Sequence, residues 1–220
     1  MEKLNKILET EHYIFSYIED SLAAKDIHKI ATEQENSFQE ICQTLKVIPD
    51  FKIHYYLLNT PEEVGEAYGD NEPCSGFARM PNQIYAVYND KIKCIGPHED
   101  AHIISYIINR PSPVFIREGL AMYFDKTWWG KANEIWVKEF IKDNKYIKIE
   151  SLLNEEEFYK YSDAITYPIA GAFTHFLIDK LTIDNYLNLY RNDNFSITSL
   201  KAILNTNDID AMFIAWIETL

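Results

Sequence analysis

The sequence predicts an α+β fold: a small mixed β-sheet in the first half of the chain and a helical second half. Two observations predict it. Strand-like alternation is confined to the stretch before residue 90, and helical spacings dominate after residue 97. Strands first and helices later is an order that argues against a parallel α/β sheet. With 220 residues, 47% of them hydrophobic, the chain can bury one substantial core. A single domain over 1–220 is therefore expected, its sheet-bearing half about 1–110 and its helical half about 111–220.

The elements follow in order. After a short polar start, residues 11–18 are dense enough in aromatic and aliphatic side chains for a strand. From Ala23 to Leu45, Ile27, Ile30, Ala31, Phe38, Ile41, Cys42 and Leu45 recur at helical spacing, which predicts a long amphipathic helix covering one sheet face. Phe51, Ile53, Tyr55 and Leu57 alternate as a strand. Thr60-Pro61-Glu62-Glu63 combines a capping box with proline at the helix start and opens a short helix to Tyr68. Gly69, Asn71, Pro73, Gly76 and Pro81 mark 69–81 as a loop. Gln83–Tyr88 reads as a strand, and Pro81 at its entrance suits a sheet edge. Gly96-Pro97 starts a helix at His98. Asn109-Arg110-Pro111-Ser112-Pro113 reads as a helix break, with Ser112 as N-cap and Pro113 at the first position of the next helix. Further helices are predicted over about 133–142, 169–181, 183–190, 199–204 and 209–218.

The stretch with the most chemistry in it is His98-Glu99-Asp100-Ala101-His102, an H-E-x-x-H string. On a helix the two histidines stand at i and i+4, one above the other, so two imidazole nitrogens can converge on one Zn²⁺ at ~2.0–2.1 Å. Glu99 lies roughly 100° further round, too far to chelate with them but placed to reach a metal-bound water as general base. The helix start also sets Glu99 at the positive end of the helix dipole, which favours its carboxylate. Sixteen residues past His102, Glu118 offers a third ligand, giving a His₂Glu set with one position left open.

These residues resemble the gluzincin zinc metallopeptidases, and among them the peptidase-MA-like branch that shares its core with aminopeptidase N and thermolysin. The family pairs H-E-x-x-H with an aromatic residue shortly before E-G-x-A-x-Y; here Phe115, Glu118, Gly119, Ala121 and Tyr123 fill the second pattern. The resemblance runs from about Gln83 to Lys180. It implies a zincin-like fold, with the small sheet packed on the H-E-x-x-H helix. It also implies one Zn²⁺ held by His98, His102 and Glu118, Glu99 as general base and proton shuttle, and a peptide or protein substrate. Tyr167-Pro168-Ile169-Ala170-Gly171 resembles the family's Tyr-x-x-Gly/Ala element, whose tyrosine stabilises the tetrahedral intermediate, although its glycine lies four rather than three residues on. Aminopeptidase N relatives carry an acidic Gly-x-Met-Glu-Asn segment that binds the substrate's free amine. The nearest segment here, residues 76–82, has no acidic residue and an arginine at Arg79, so an endopeptidase is expected.

The rest of the composition bounds the setting. A net charge of −13 argues against a nucleic-acid partner, which needs a basic surface. No run of 18 apolar residues is present, so no membrane span is expected; the charged start does not read as a secretory signal, and Cys42, Cys74 and Cys94 read as reduced thiols. A cytoplasmic enzyme is the expectation. Cys94 stands at i−4 to His98, but Gly96-Pro97 breaks the helix between them and sets Cys94 aside as a ligand. Cys74, in the predicted loop before the edge strand, is placed either as a plain loop thiol or as an inhibitory thiolate approaching the zinc. His175 is a candidate for carbonyl polarisation or else a packed histidine, and His12, His28 and His54 read as structural. Asp125, two turns past Glu118, is either a partner for a ligand imidazole or a solvated carboxylate. Trp128, Trp129, Trp136 and Tyr123 are assigned to the core or to a cleft wall. The alternative function is a catalytically silent zincin-fold binding or regulatory module. Degenerate copies of that kind usually lose the glutamate or a ligand, and here all four residues stand.

Overall fold

A computed structural model describes residues 4–220. Met1–Lys3, on which part of the no-leader expectation rests, lie outside the described residues. The chain divides into two units, one ending at Ile107 and one spanning Ile108–Leu220.

The first unit is built on a five-stranded mixed sheet. Its strands are β1 (Lys6–Glu9), β2 (Tyr13–Tyr17), β3 (Ile53–Leu58), β4 (Gly76–Arg79) and β5 (Gln83–Val87), arranged in the order β1-β2-β3-β5-β4. β2, β3 and β5 run parallel, while β1 and β4 pair antiparallel at the two ends. Ser21 caps α1 (Leu22–Leu45) by accepting from the Ala24 N–H, and the buried stripe of this helix runs from Ala23 through Ile27, Ile30, Phe38 and Ile41 to Leu45. α1 is the crossover that the parallel β2–β3 pair requires. Thr60 accepts from the Glu63 N–H and Pro61 opens α2 (Pro61–Tyr68), as the capping motif predicts. The Glu63 carboxylate returns to the Asn59 N–H, one residue earlier than a capping box places it.

Two expectations for the sheet need correcting. Residues 76–79 form a strand inside the predicted loop. Phe77 stacks on Tyr85 with ring centroids 4.9 Å apart, and the Arg79 guanidinium lies over both rings. These cross-strand contacts outweigh the flanking turn residues. In consequence β5 is interior, bonded to β3 on one side and β4 on the other, and β4 is the sheet edge. β1 was hidden for a related reason: it has four residues, two of them charged, and its register is set only by pairing with β2.

α3 (Pro97–Ser105) closes the first unit and starts at the predicted place, with Gly96 at φ +128° ahead of Pro97. A positive φ of that size is accessible to glycine and strained for other residues.

The second unit begins with α4 (Val114–Asp125), whose N-cap is Pro113 rather than Ser112. Ser112 is drawn elsewhere: its N–H donates to Asp193 Oδ1 at 2.9 Å and its hydroxyl donates to Asp193 Oδ2. A hairpin of β6 (Thr127–Trp128) and β7 (Lys131–Ala132) follows, turning through Trp129 and Gly130, both at positive φ. Then come α5 (Asn133–Lys142), the single turns α6 (Ile149–Leu152) and α7 (Glu155–Phe158), α8 (Asp163–Leu181), α9 (Ile183–Arg191), α10 (Ile197–Leu204) and α11 (Ile209–Thr219). α6 and α7 are too short to show periodicity. α8 starts six residues before the predicted 169. Ser162 caps it by accepting from the Ala164 N–H, and Pro168 is absorbed within the helix.

Glycine decides how closely α4 meets α8. A Cβ on Gly119 would come within 2.8 Å of the Ala170 carbonyl oxygen and 2.5 Å of Thr174 Oγ1; one on Gly171 would come within 2.8 Å of Met122 Cβ. Gly119→Ala is therefore expected to force the helices apart and cost about 1–3 kcal/mol, the usual penalty of overpacking. Thermal melting checks it, and an unchanged melting temperature would refute the close-packing account. Among the described residues, no helix is long and apolar enough to cross a membrane.

Candidate metal centre

α3 carries His98, Glu99 and His102 within its nine residues. The two imidazole centroids are 5.1 Å apart on one face; His98 is half-buried and His102 buried. Glu118 sits half-buried in the second turn of α4. One ligand atom from each of His98, His102 and Glu118 lies within 4.8 Å of the other two. A set of two imidazoles and one carboxylate is of the kind that suits Zn²⁺. Glu99 lies in the first turn of α3, at its positive end, as predicted.

Other candidates fall elsewhere. Cys94 precedes the helix, its N–H bonded to the Val87 carbonyl. The Cys74 thiol donates to the Gly76 carbonyl at 3.2 Å, and burial pushes its pKa up, which works against the thiolate a metal would need. Arg79 turns to the carbonyls of Ala67 and Tyr68 at the end of α2, at 2.6 and 3.3 Å. The endopeptidase expectation therefore keeps only the missing acidic residue as its basis. Asp125 closes α4. His12 stacks on Phe38 and its Nδ1 lies 2.6 Å from Glu35 Oε2. Trp128 and Trp136 are half-buried, with Trp136 Nε1 donating to the Trp128 carbonyl, but Trp129 is 86% exposed at the hairpin tip and does not belong to the core.

Tyr167 is not extended ahead of a helix, as the residue before a proline usually is. It lies inside α8, its ring edge-on to Trp128 at 5.4 Å and stacked at 6.4 Å on Phe158. Residues from Pro168 to Thr174 are buried without a break, on every side of the helix, and this packing holds the helix through the proline. Tyr167→Phe keeps both ring contacts and deletes only the hydroxyl. If that hydroxyl serves an oxyanion, kcat is expected to drop roughly 10²–10³-fold with KM and melting temperature unchanged. Steady-state kinetics decides it, and a wild-type kcat would return Tyr167 to a packing role.

His175 is committed as well. Its Nδ1 is 2.8 Å from Glu134 Oε1 and its ring packs edge-on against Trp216. The Glu134 hydrogen bond raises the His175 pKa above its ordinary 6.5. Burial works to raise Glu134, but the bond to His175 leaves it below 4.5. The raised histidine contributes stability in full below pH 6.5 and loses it as pH climbs through its folded value; the lowered glutamate contributes above pH 4.5 and loses it on acidification. The pair is therefore worth most between those limits. His175→Gln is expected to cost a few tenths of a kcal/mol near pH 5.5 and less near pH 9, because the pair is solvent-screened. Melting curves at the two pH values test this; an equal loss at both would refute it.

One cluster escaped the sequence reading. Asp100, on the side of α3 opposite the histidines, is fully buried, and burial pushes its carboxyl well above the usual carboxylate range. The Tyr13 hydroxyl lies 2.5 Å from Asp100 Oδ2 and 3.0 Å from the Gln34 carbonyl, and Gln34 Nε2 donates to the same Oδ2 at 2.9 Å. The signal was there: Gln34 interrupts the apolar stripe of α1 at a core position.

Compared with models of known protein families and with curated proteins, the chain matches none. The functional reading therefore rests on the residues themselves.

Proposed function

We propose that the chain is a zinc-dependent peptide-bond hydrolase of the gluzincin type, cleaving internal bonds. The observation that carries the reading is the convergence of His98, His102 and Glu118 with Glu99 on the same helix as both histidines. The small mixed sheet of the first unit and the helical second unit are the kinds of element a zincin-like domain uses.

Bound there, Zn²⁺ would supply Lewis-acid polarisation and lower the pKa of a water to about 7. The protein does the rest. Glu99 takes the proton of the attacking water and passes it to the departing amine nitrogen, a role its place at the positive helix end suits. Tyr167 donates to the developing oxyanion. Among the described residues β4 pairs with β5 alone, so an extended peptide can add to its other side through backbone bonds.

The test is elemental analysis of protein purified without added metal, together with turnover of quenched peptides in free and N-acetylated forms. One zinc per chain and cleavage of both forms are expected. Zinc far below one equivalent that does not rise on addition would overturn the metal site. A strict need for the free amine would overturn internal cleavage.

A further inference from the structure

Asp100 is an unusual residue for its position. At about 100° per residue it points away from the midpoint of the His98–His102 face by about half a turn, into the core of the first unit. An apolar side chain would fill that place without the cost of burying a polar group. The residues around Asp100 show what the carboxyl adds.

Gln34, 0% exposed in the middle of α1, uses its one amide at two levels of α3. Its Oε1 accepts from the Gly96 N–H at 2.8 Å and its Nε2 donates to the Gly96 carbonyl at 3.1 Å, fixing the residue ahead of the helix from both sides. The same Nε2 donates to Asp100 Oδ2, one turn further on, and the Tyr13 hydroxyl from β2 closes on that oxygen. No side chain within the local sequence caps α3 at Gly96, so Gln34 supplies the tie that a cap residue would. Apolar packing lets a short helix turn about its axis at little cost, whereas directed bonds at two levels fix both rotation and height.

We propose that Tyr13, Gln34 and Asp100 are positioning residues that set the rotation and height of α3 so that His98, His102 and Glu99 aim at the metal. The inference rests on the zinc-hydrolase reading and deepens it. It assigns a role in metal binding to three side chains that touch neither the metal nor the substrate.

The test uses Zn²⁺ alone, in competition with a chromophoric chelator, on the full-length protein, together with the visible spectrum of the Co²⁺-loaded form and melting of the metal-free form. Gln34→Met is close in shape and cuts the ties to Gly96 and Asp100. It is expected to bind Zn²⁺ at least about tenfold more weakly, the loss typical of removing a support behind a ligand, and to shift the Co²⁺ bands. Its metal-free melting temperature should move by only a few degrees. Asp100→Asn keeps an oxygen that accepts both bonds and should hold zinc affinity within about threefold. kcat at saturating zinc should fall in Gln34→Met with KM steady, because displacement of about an ångström costs turnover heavily.

Wild-type zinc affinity and an unchanged Co²⁺ spectrum in Gln34→Met would overturn the positioning role while leaving the zinc site standing. If Gln34→Met does not fold, Tyr13→Phe replaces it, removing one oxygen from the cluster. A zinc affinity equal to wild type in that variant would overturn the inference as well. Wild-type protein that takes up no Zn²⁺ would overturn the hydrolase reading and this inference together.

Discussion

Glu99→Gln is expected to abolish hydrolysis while leaving zinc content and fold intact. The amide is nearly the shape of the carboxylate, so the first turn of α3 keeps its packing, and His98 and His102 keep their spacing. What disappears is the group proposed to take a proton from water and return it to a leaving nitrogen; Asp100, the other carboxyl of that turn, is fully buried on the opposite side of the helix. Both transfers are lost at once, so kcat should fall by more than the ~10²–10⁴ usual for removing one general base, with KM steady. Side-by-side kinetics and elemental analysis test it. Full activity in the zinc-loaded variant would mean that a different residue is the base, and loss of zinc would mean that Glu99 is a ligand.

The second large effect is expected at Glu118. Glu118→Ala leaves two imidazoles from one helix, and two donors hold Zn²⁺ far more weakly than three. Affinity should fall by more than the ~10–100-fold that follows loss of a group merely supporting a ligand. Activity should fall with it and return in part at high added zinc. Alanine is at least as good a helix former as glutamate, and α4 is held by the buried Phe115, Leu120, Met122 and Phe124, so melting of the metal-free protein should barely change. A zinc titration and a melting curve on the same preparation decide the matter. Unchanged zinc affinity would remove Glu118 from the ligand set and leave the three-residue convergence without a function.

How much of this was legible depends on how local the cause is. The start of α3 is written in Gly96-Pro97 and that of α2 in Thr60-Pro61, because caps act over three or four residues. Both histidines and Glu99 come from one helical turn, so their relation could be read from spacing alone. The sheet edge could not. Whether Gln83–Val87 or Gly76–Arg79 lies outermost depends on which strand reaches β3, a contact about thirty residues distant in sequence. α8 shows local evidence pointing two ways: Ser162 signals a start and Pro168 a break, and burial all round the middle of the helix decides for the first. The Tyr13–Gln34–Asp100 cluster joins three distant segments and left only one trace, a glutamine where the α1 stripe calls for an apolar residue.

The edge position of β4 has a consequence for target choice. A peptide that adds to this strand in the proposed reaction must first free its own backbone hydrogen-bonding groups for β4, so a helix or a paired strand in a folded protein has to melt locally before it can dock. The free energy of that opening enters the apparent affinity directly. Cleavage of whole proteins should then be graded by how readily a segment unravels, and two targets with the same residues around the scissile bond should be cut at rates set by their local stability. In the proposed reaction, selectivity is exercised on conformation before it is exercised on side chains.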